Sequence, residues 1–128
     1  MKNTLGVDAK TVIKQITLLH CGMGSNIQLF SYQSPDQKVV QPKNSDIGGS
    51  RIAFYVDDIK AAADDLRAKN VKTMMGPITI TEGPAAGQAI VCFNAPWDLQ
   101  LEAISYPKGM AYEKDAATIL WTPKDPAK

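Results

Sequence analysis

The sequence predicts an α+β fold, one short helix packed against a mixed β-sheet. Two observations carry this. From Arg51 to Tyr106 the patterning reads strand, helix, then three more strands. Between Val12 and Gln33, two β-branched runs flank a glycine-containing turn. A chain of 128 residues makes one domain with a real core, without disulfide or metal staples. Its 45% hydrophobic and 21% charged residues are those of a folded chain rather than a disordered one.

Val12-Ile-Lys-Gln-Ile-Thr-Leu-Leu19 is β-branched and partly alternating, which predicts a strand. Cys21-Gly-Met-Gly-Ser-Asn26 has turn chemistry, and Ile27–Gln33 returns as the partner strand. From Ser34 to Ser50 two prolines, several Asx residues and Gly48-Gly49 predict a linker over 34–50. Next, Ile52, Phe54 and Val56 alternate with Arg51, Ala53 and Tyr55, so the two sets take opposite faces of one strand.

Asp57 or Asp58 suits the N-cap of the following helix, where Ile59, Ala62, Ala63 and Leu66 form one apolar stripe. Asn70 can end that helix in the left-handed conformation, with Val71 folding back over it. Val71–Met75 and Ile78–Thr81 fit either two strands or a single bent one. Gly83–Gly87 turns the chain into a strand over Gln88–Phe93, and Pro96-Trp97-Asp98 makes a corner into the last strand, Leu99–Tyr106. Beyond Pro107, Tyr112, Ala116 and Ile119 are placed to line a short helix ending near Trp121. The residues around Pro123 and Pro126 read as an irregular cover.

Several function classes lose support on composition. A net charge of +1 with dispersed lysines leaves no electrostatic footprint for nucleic acid. The first residues lack the apolar core of a signal peptide, and no run is long enough to span a bilayer. Cys21 and Cys92 share no metal-ligand spacing, so the expectation is a reduced, cytoplasmic setting with both thiols serving as small hydrophobes. His20 is the single histidine, which removes any histidine cluster, and its turn-entry position predicts exposure. Trp97 is expected to cap the core. The Gly83–Gly87 run lacks the Walker pattern and is a turn. Asp57, Asp58, Asp64 and Asp65 belong to a cap and a wet helix face.

Three segments together resemble the vicinal oxygen chelate superfamily of glyoxalase I, bleomycin-resistance and extradiol dioxygenase proteins. They are Gly49–Ile59, Glu82–Gln88 and Ala95–Pro107, in that order and spacing. The resemblance implies a curved mixed sheet of βαβββ modules around a cavity. It assigns 51–106 to a complete module, 11–33 to the remnant of a first one, and 107–128 to a C-terminal tail. Asn26–Tyr32 is similar to the closing strand of the first module. The strand, helix and strand that open a typical member do not precede Thr11, which implies a trimmed or naturally short first module.

In that superfamily four inward side chains hold a divalent metal. The first belongs to the opening strand; the others correspond here to Gln28, Arg51 and Glu102. Glutamine and glutamate offer oxygens acceptable to a divalent ion, whereas arginine has five donors, no acceptor and a permanent charge. The resemblance therefore implies a degenerate metal site and no resident cofactor. Two readings of Arg51 and Glu102 stand side by side: a structural ion pair filling an abandoned ligand site, or an Arg51 that grips an anionic ligand while Gln28 orients a second group. Phe30 and Tyr55 share strand faces with Gln28 and Arg51 and either line the pocket or pack as plain core aromatics. Glu102 is the one weak candidate for a catalytic base, since a neighbouring guanidinium makes a carboxylate a poorer one.

The leading expectation is a non-catalytic small-molecule-binding protein. The alternative is a metal-dependent lyase, isomerase or dioxygenase using Mn, Ni, Fe or Zn. A partial first module leaves open edges and an uncovered apolar face, which predicts a homodimer.

Overall fold

The computed structural model describes residues 2–22 and 24–125. The chain divides into two compact units, residues 1–40 and 41–128, with the division inside the stretch expected to be a linker.

The first unit is a hairpin preceded by a single helical turn, α1 (Lys2–Leu5). Strands β1 (Val12–Leu19) and β2 (Ile27–Gln33) pair antiparallel, with Ile16 opposite Phe30 and Leu18 opposite Gln28. The register shifts between Ile13 and Gln15, so one extra residue bulges there. Gly24 N donates to Cys21 O within the connection at 3.0 Å; Met23, in the predicted turn, lies outside the described residues. Thr11 is buried, and its hydroxyl bonds the Ser34 hydroxyl at 2.7 Å, pinning together the two ends of the hairpin.

The second unit realises the predicted order: β3 (Arg51–Tyr55), α2 (Ile59–Ala68), β4 (Thr73–Thr79), β5 (Ala89–Asn94) and β6 (Gln100–Ser105). The sheet order is β3-β6-β5-β4, with β3 parallel to β6 and the other pairs antiparallel. The fold is α+β with a mixed sheet, as the patterning indicated. Asp58 is the N-cap, its carboxylate accepting from Lys60 N at 2.9 Å and Ala61 N at 3.0 Å. Asn70 has φ +58°, and the bonds Asn70 N to Arg67 O and Val71 N to Leu66 O close a Schellman motif.

The apolar stripe of α2 meets one face of the sheet. Ala63, Val91 and Ala103 are buried together, with Val56, Ile59, Ala62, Leu66 and Phe93 packed around them. Alternation then sends Glu102, Ile104, Cys92, Ile90, Arg51 and Tyr55 to the face away from α2. The helix thus fixes which side of the sheet is left for chemistry.

One bent strand, rather than two, covers the segment after α2. Between the pairs Met75–Cys92 and Ile78–Ile90, β4 has an extra residue, and Gly76-Pro77 occupies that bulge. Pro77 has no amide hydrogen for the ladder. A Cβ on Gly76 would stand 2.7 Å from the Ile90 carbonyl oxygen, at a φ of +109°.

The C-terminal segment departs from expectation. A single 3-10 turn, Ala111–Lys114, replaces the predicted helix, and Ile119, Leu120 and Trp121 are exposed. Its amides serve a different partner: Ala111 N and Tyr112 N donate to Ala86 O and Pro84 O of the loop before β5. The chain beyond is held through Tyr106 Oη to Thr122 Oγ1 at 3.0 Å and Leu120 N to Tyr112 Oη at 3.3 Å. Pro126 lies outside the described residues. Trp97 is also corrected: it stands at the tip of the β5–β6 hairpin with half its surface exposed, because Asp98 N closes on Ala95 O and points the corner outward.

Two substitutions check this account. Asp58→Ala removes the cap of α2 and should lower unfolding free energy by about 1 kcal/mol in urea titration. Gly76→Ala should cost more, about 2 kcal/mol, because backbone strain and a backbone clash act together.

Candidate functional site

A buried carboxylate sits in the face away from α2. Glu102 is 6% exposed, on a strand with neighbours on both sides. In the parallel β3–β6 pairing it lies opposite Ala53, and in the antiparallel β5–β6 pairing opposite Cys92. Arg51 begins β3 opposite Gln100, two residues along the same face, and its guanidinium reaches back to Glu102. Nη1 stands 2.9 Å from Oε1. Cys92 Sγ donates to the same oxygen at 3.6 Å. Both contacts fall on Oε1.

The pair is asymmetric. The Arg51 side chain is 60% exposed and Glu102 almost fully covered, so the guanidinium is the lid of the carboxylate and its route to solvent. The attraction is partly screened on the arginine side, and the coverage of the acid makes it matter. Burial, then the Glu102 charge, pushes the Cys92 thiol up from its ordinary value of 9.0. Further along the same face, burial and the neighbouring Asp57 carboxylate hold the Tyr55 phenol above its ordinary value of 10.0. Its ring packs edge-on against Tyr106, with centroids 4.9 Å apart.

The wall beside Arg51 comes from the segment expected to be a linker. An open cleft of about 360 Å³ is lined by Asn44, Gly49, Ser50 and Arg51. The loop is braced by Asp46, whose carboxylate accepts from Lys43 N at 2.9 Å and whose carbonyl accepts from Gly49 N at 2.9 Å. A Cβ on Gly49 would collide with the Lys43 and Asp46 carbonyl oxygens. Asn44 Nδ2 donates to Gln100 Oε1, tying the loop to β6.

Of the sequence-selected residues, Arg51, Tyr55 and Glu102 share one face of the second unit. Gln28 and Phe30 lie on β2 of the first unit, both exposed, on the face that carries Ile16 and Leu18. Phe30 stacks on Tyr32 with ring centroids 5.8 Å apart. His20 is exposed, with Nδ1 3.2 Å from Asn26 Oδ1. Cys92, Gln100, Asn44 and Ser50 were not picked out. The β5 and β6 alternation placed Cys92 and Gln100 beside Glu102; for the loop residues no local signal existed.

This donor set does not fit a divalent cation. A permanently charged guanidinium stands 2.9 Å from the one carboxylate of the site, where it would repel a cation, and among the described residues no three His, Cys, Asp or Glu side chains converge. No helix of the described residues is long and apolar enough to cross a membrane.

The raised Cys92 thiol has a consequence at alkaline pH. The folded state keeps this proton longer than the unfolded chain does, so its contribution is present below pH 9 and is lost as pH rises beyond it. Urea midpoints of the wild type should therefore fall more steeply above pH 9 than those of Cys92→Ala; parallel curves would remove the assignment.

No family model matches the sequence. A solved structure from the mobile metagenome of V. Pseudocholerae aligns over 71% of this chain and 75% of its own, at 19% identity and a TM-score of 0.43. A curated relative from Actinomyces sp, 2-epi-5-epi-valiolone epimerase, is 42% identical over 125 residues, covering 97% of this chain and 68% of that protein. Identity of that extent decides the family, and it favours the isomerase alternative over the non-catalytic reading: the chain belongs to the family of the 2-epi-5-epi-valiolone epimerase.

Proposed function

We propose that this chain is an isomerase-type enzyme of the vicinal oxygen chelate kind, inverting a stereocentre beside the carbonyl of a small hydroxylated ketone. The observation that carries this is the buried Glu102 carboxylate under the exposed Arg51 guanidinium, in a chain 42% identical to an epimerase. The superfamily assignment rests on the β3-α2-β4-β5-β6 order and on the three segments that resemble it.

Epimerisation next to a carbonyl is a proton transfer. Glu102 takes the proton from the carbon, and the electron pair of the broken C–H bond moves onto the carbonyl oxygen as an enolate. Arg51 has five donors, and one directed at Glu102 leaves others to hold that oxygen as charge develops on it. A proton from water then adds to the opposite face of the carbon, and Glu102 returns its own proton to solvent. The exposure of Arg51 keeps this side of the site open to water. Tyr55 stays protonated and acts as a hydrogen-bond donor, since burial, and then the neighbouring Asp57 carboxylate, disfavour its anion.

The assembly proposed is a homodimer. Leu18, Ile16 and Val12 of β1 are each at least half exposed, and hairpin surfaces of this kind are normally covered. Sedimentation at micromolar concentration should give the mass of two chains; a monomer there removes the dimer.

Two measurements test the chemistry. In D₂O, turnover of 2-epi-5-epi-valiolone should place deuterium at the inverted carbon, and retention of the original hydrogen would count against a solvent proton. Glu102→Gln keeps an acceptor for Arg51 but removes the base, and should lower kcat by about 10²- to 10⁴-fold. A variant as fast as wild type sinks the assignment of Glu102.

A further inference from the structure

We infer that the cleft between the 43–50 loop and the start of β3 is a subsite for the hydroxyl groups of a neutral cyclic polyol ketone, with Asn44 and Ser50 as its specificity residues. The inference deepens the isomerase reading and rests on it for the ring's reactive end, which lies at Glu102.

The cleft begins where the catalytic pair ends, because Arg51 lines it as well as covering Glu102. Its volume of about 360 Å³ is at the small end of small-molecule sites. Arg51 is the one charged side chain among its lining residues, and that charge is already matched by Glu102. A phosphate or carboxylate would bring a standing negative charge beside Glu102, with one guanidinium to balance both. A neutral ligand brings none.

What remains in the lining is hydroxyl and amide chemistry. Asn44 spends one amide hydrogen on Gln100 Oε1, which orients its side chain and leaves a carbonyl oxygen and a second N–H. Ser50 is exposed, and its hydroxyl is both donor and acceptor, so a ligand hydroxyl there displaces water. Paired donors and acceptors of this sort match adjacent hydroxyls on a ring, each of which also gives and accepts one bond.

The loop is stiff enough to discriminate. The Asp46 bonds fix both of its ends, and Gly49 allows the backbone to pass between the Lys43 and Asp46 carbonyls where a side chain has no room. Preorganised groups of this kind lose little on binding.

The test follows the backbone amides of Gly49 and Ser50 by NMR in the full chain, titrated with 2-epi-5-epi-valiolone and, separately, with inorganic phosphate. The ketone should move both signals and phosphate should leave them in place. Asn44→Ala and Ser50→Ala should each raise KM for the ketone about tenfold while kcat falls less than about twofold, as loss of uniform binding does. Turnover of the ketone with both signals unmoved overturns the subsite and leaves the isomerase reading standing. Signals that move without turnover support the subsite and overturn the isomerase. A response to phosphate equal to that of the ketone, or no response to either, overturns the subsite.

Discussion

A carboxylate nearly closed off from water is the constraint around which the second unit is arranged. Glu102 is in a strand flanked on both sides, where an unpaired charge would cost several kcal/mol. Its cation comes from the edge strand, and it can do so because β3 runs parallel to β6. That pairing places Arg51 opposite Gln100, one same-face step from Glu102. The chain leaves β3 through α2, which covers the other face and delivers it to β4 at the far edge, so that β4, β5 and β6 return by antiparallel steps until β6 lies parallel beside β3.

The two faces of the sheet have different tasks. The α2 face is built from small and medium side chains, Ala63, Val91 and Ala103, that let the helix approach closely. Ser105 supports the same corner, its hydroxyl donating to Asp57 O at 3.1 Å ahead of the helix cap. The opposite face carries the polar groups. Because residues alternate, a one-residue slip of β6 would exchange Glu102 with Ala103 and ruin both faces at once. The register between β5 and β6 is regular throughout, and the bulges of this four-stranded sheet are confined to edge strand β4. Irregularity is tolerated where no site residue depends on it.

Most of this was legible in the sequence because it rests on period and caps. The alternation at Arg51–Val56, the Asp58 cap and the Asn70 terminus are local signals, and each has the structure it predicted. The approach of Arg51 to Glu102 was readable only through the resemblance of the segments around them. The C-terminal turn was misread because Tyr112, Ala116 and Ile119 satisfy helical spacing, yet the amides of 111 and 112 are taken by the Pro84–Ala86 loop instead. Trp97 was misread because an aromatic residue at a corner can point either way, and only the Ala95–Asp98 turn decides it. The loop at 43–50 gave no signal of function. Prolines, Asx residues and glycines mark a connector whether or not its inner edge meets a ligand.

The guanidinium that pairs with Glu102 has a second task in the proposed step, so its contact to Oε1 has to be shared with the substrate. As negative charge leaves the C–H bond for the carbonyl oxygen, it draws the donors of Arg51 toward that oxygen, and Glu102 accepts the proton as its partner turns away. Charge is conserved within the site at each moment: one carboxylate and one guanidinium at the start, one enolate and one guanidinium in the middle. A cation shared between two oxygens that are never both anionic gives no net burial of charge during the step. That explains why an arginine, with donors directed along a plane to more than one acceptor, suits this position, where a lysine offers only a single point charge.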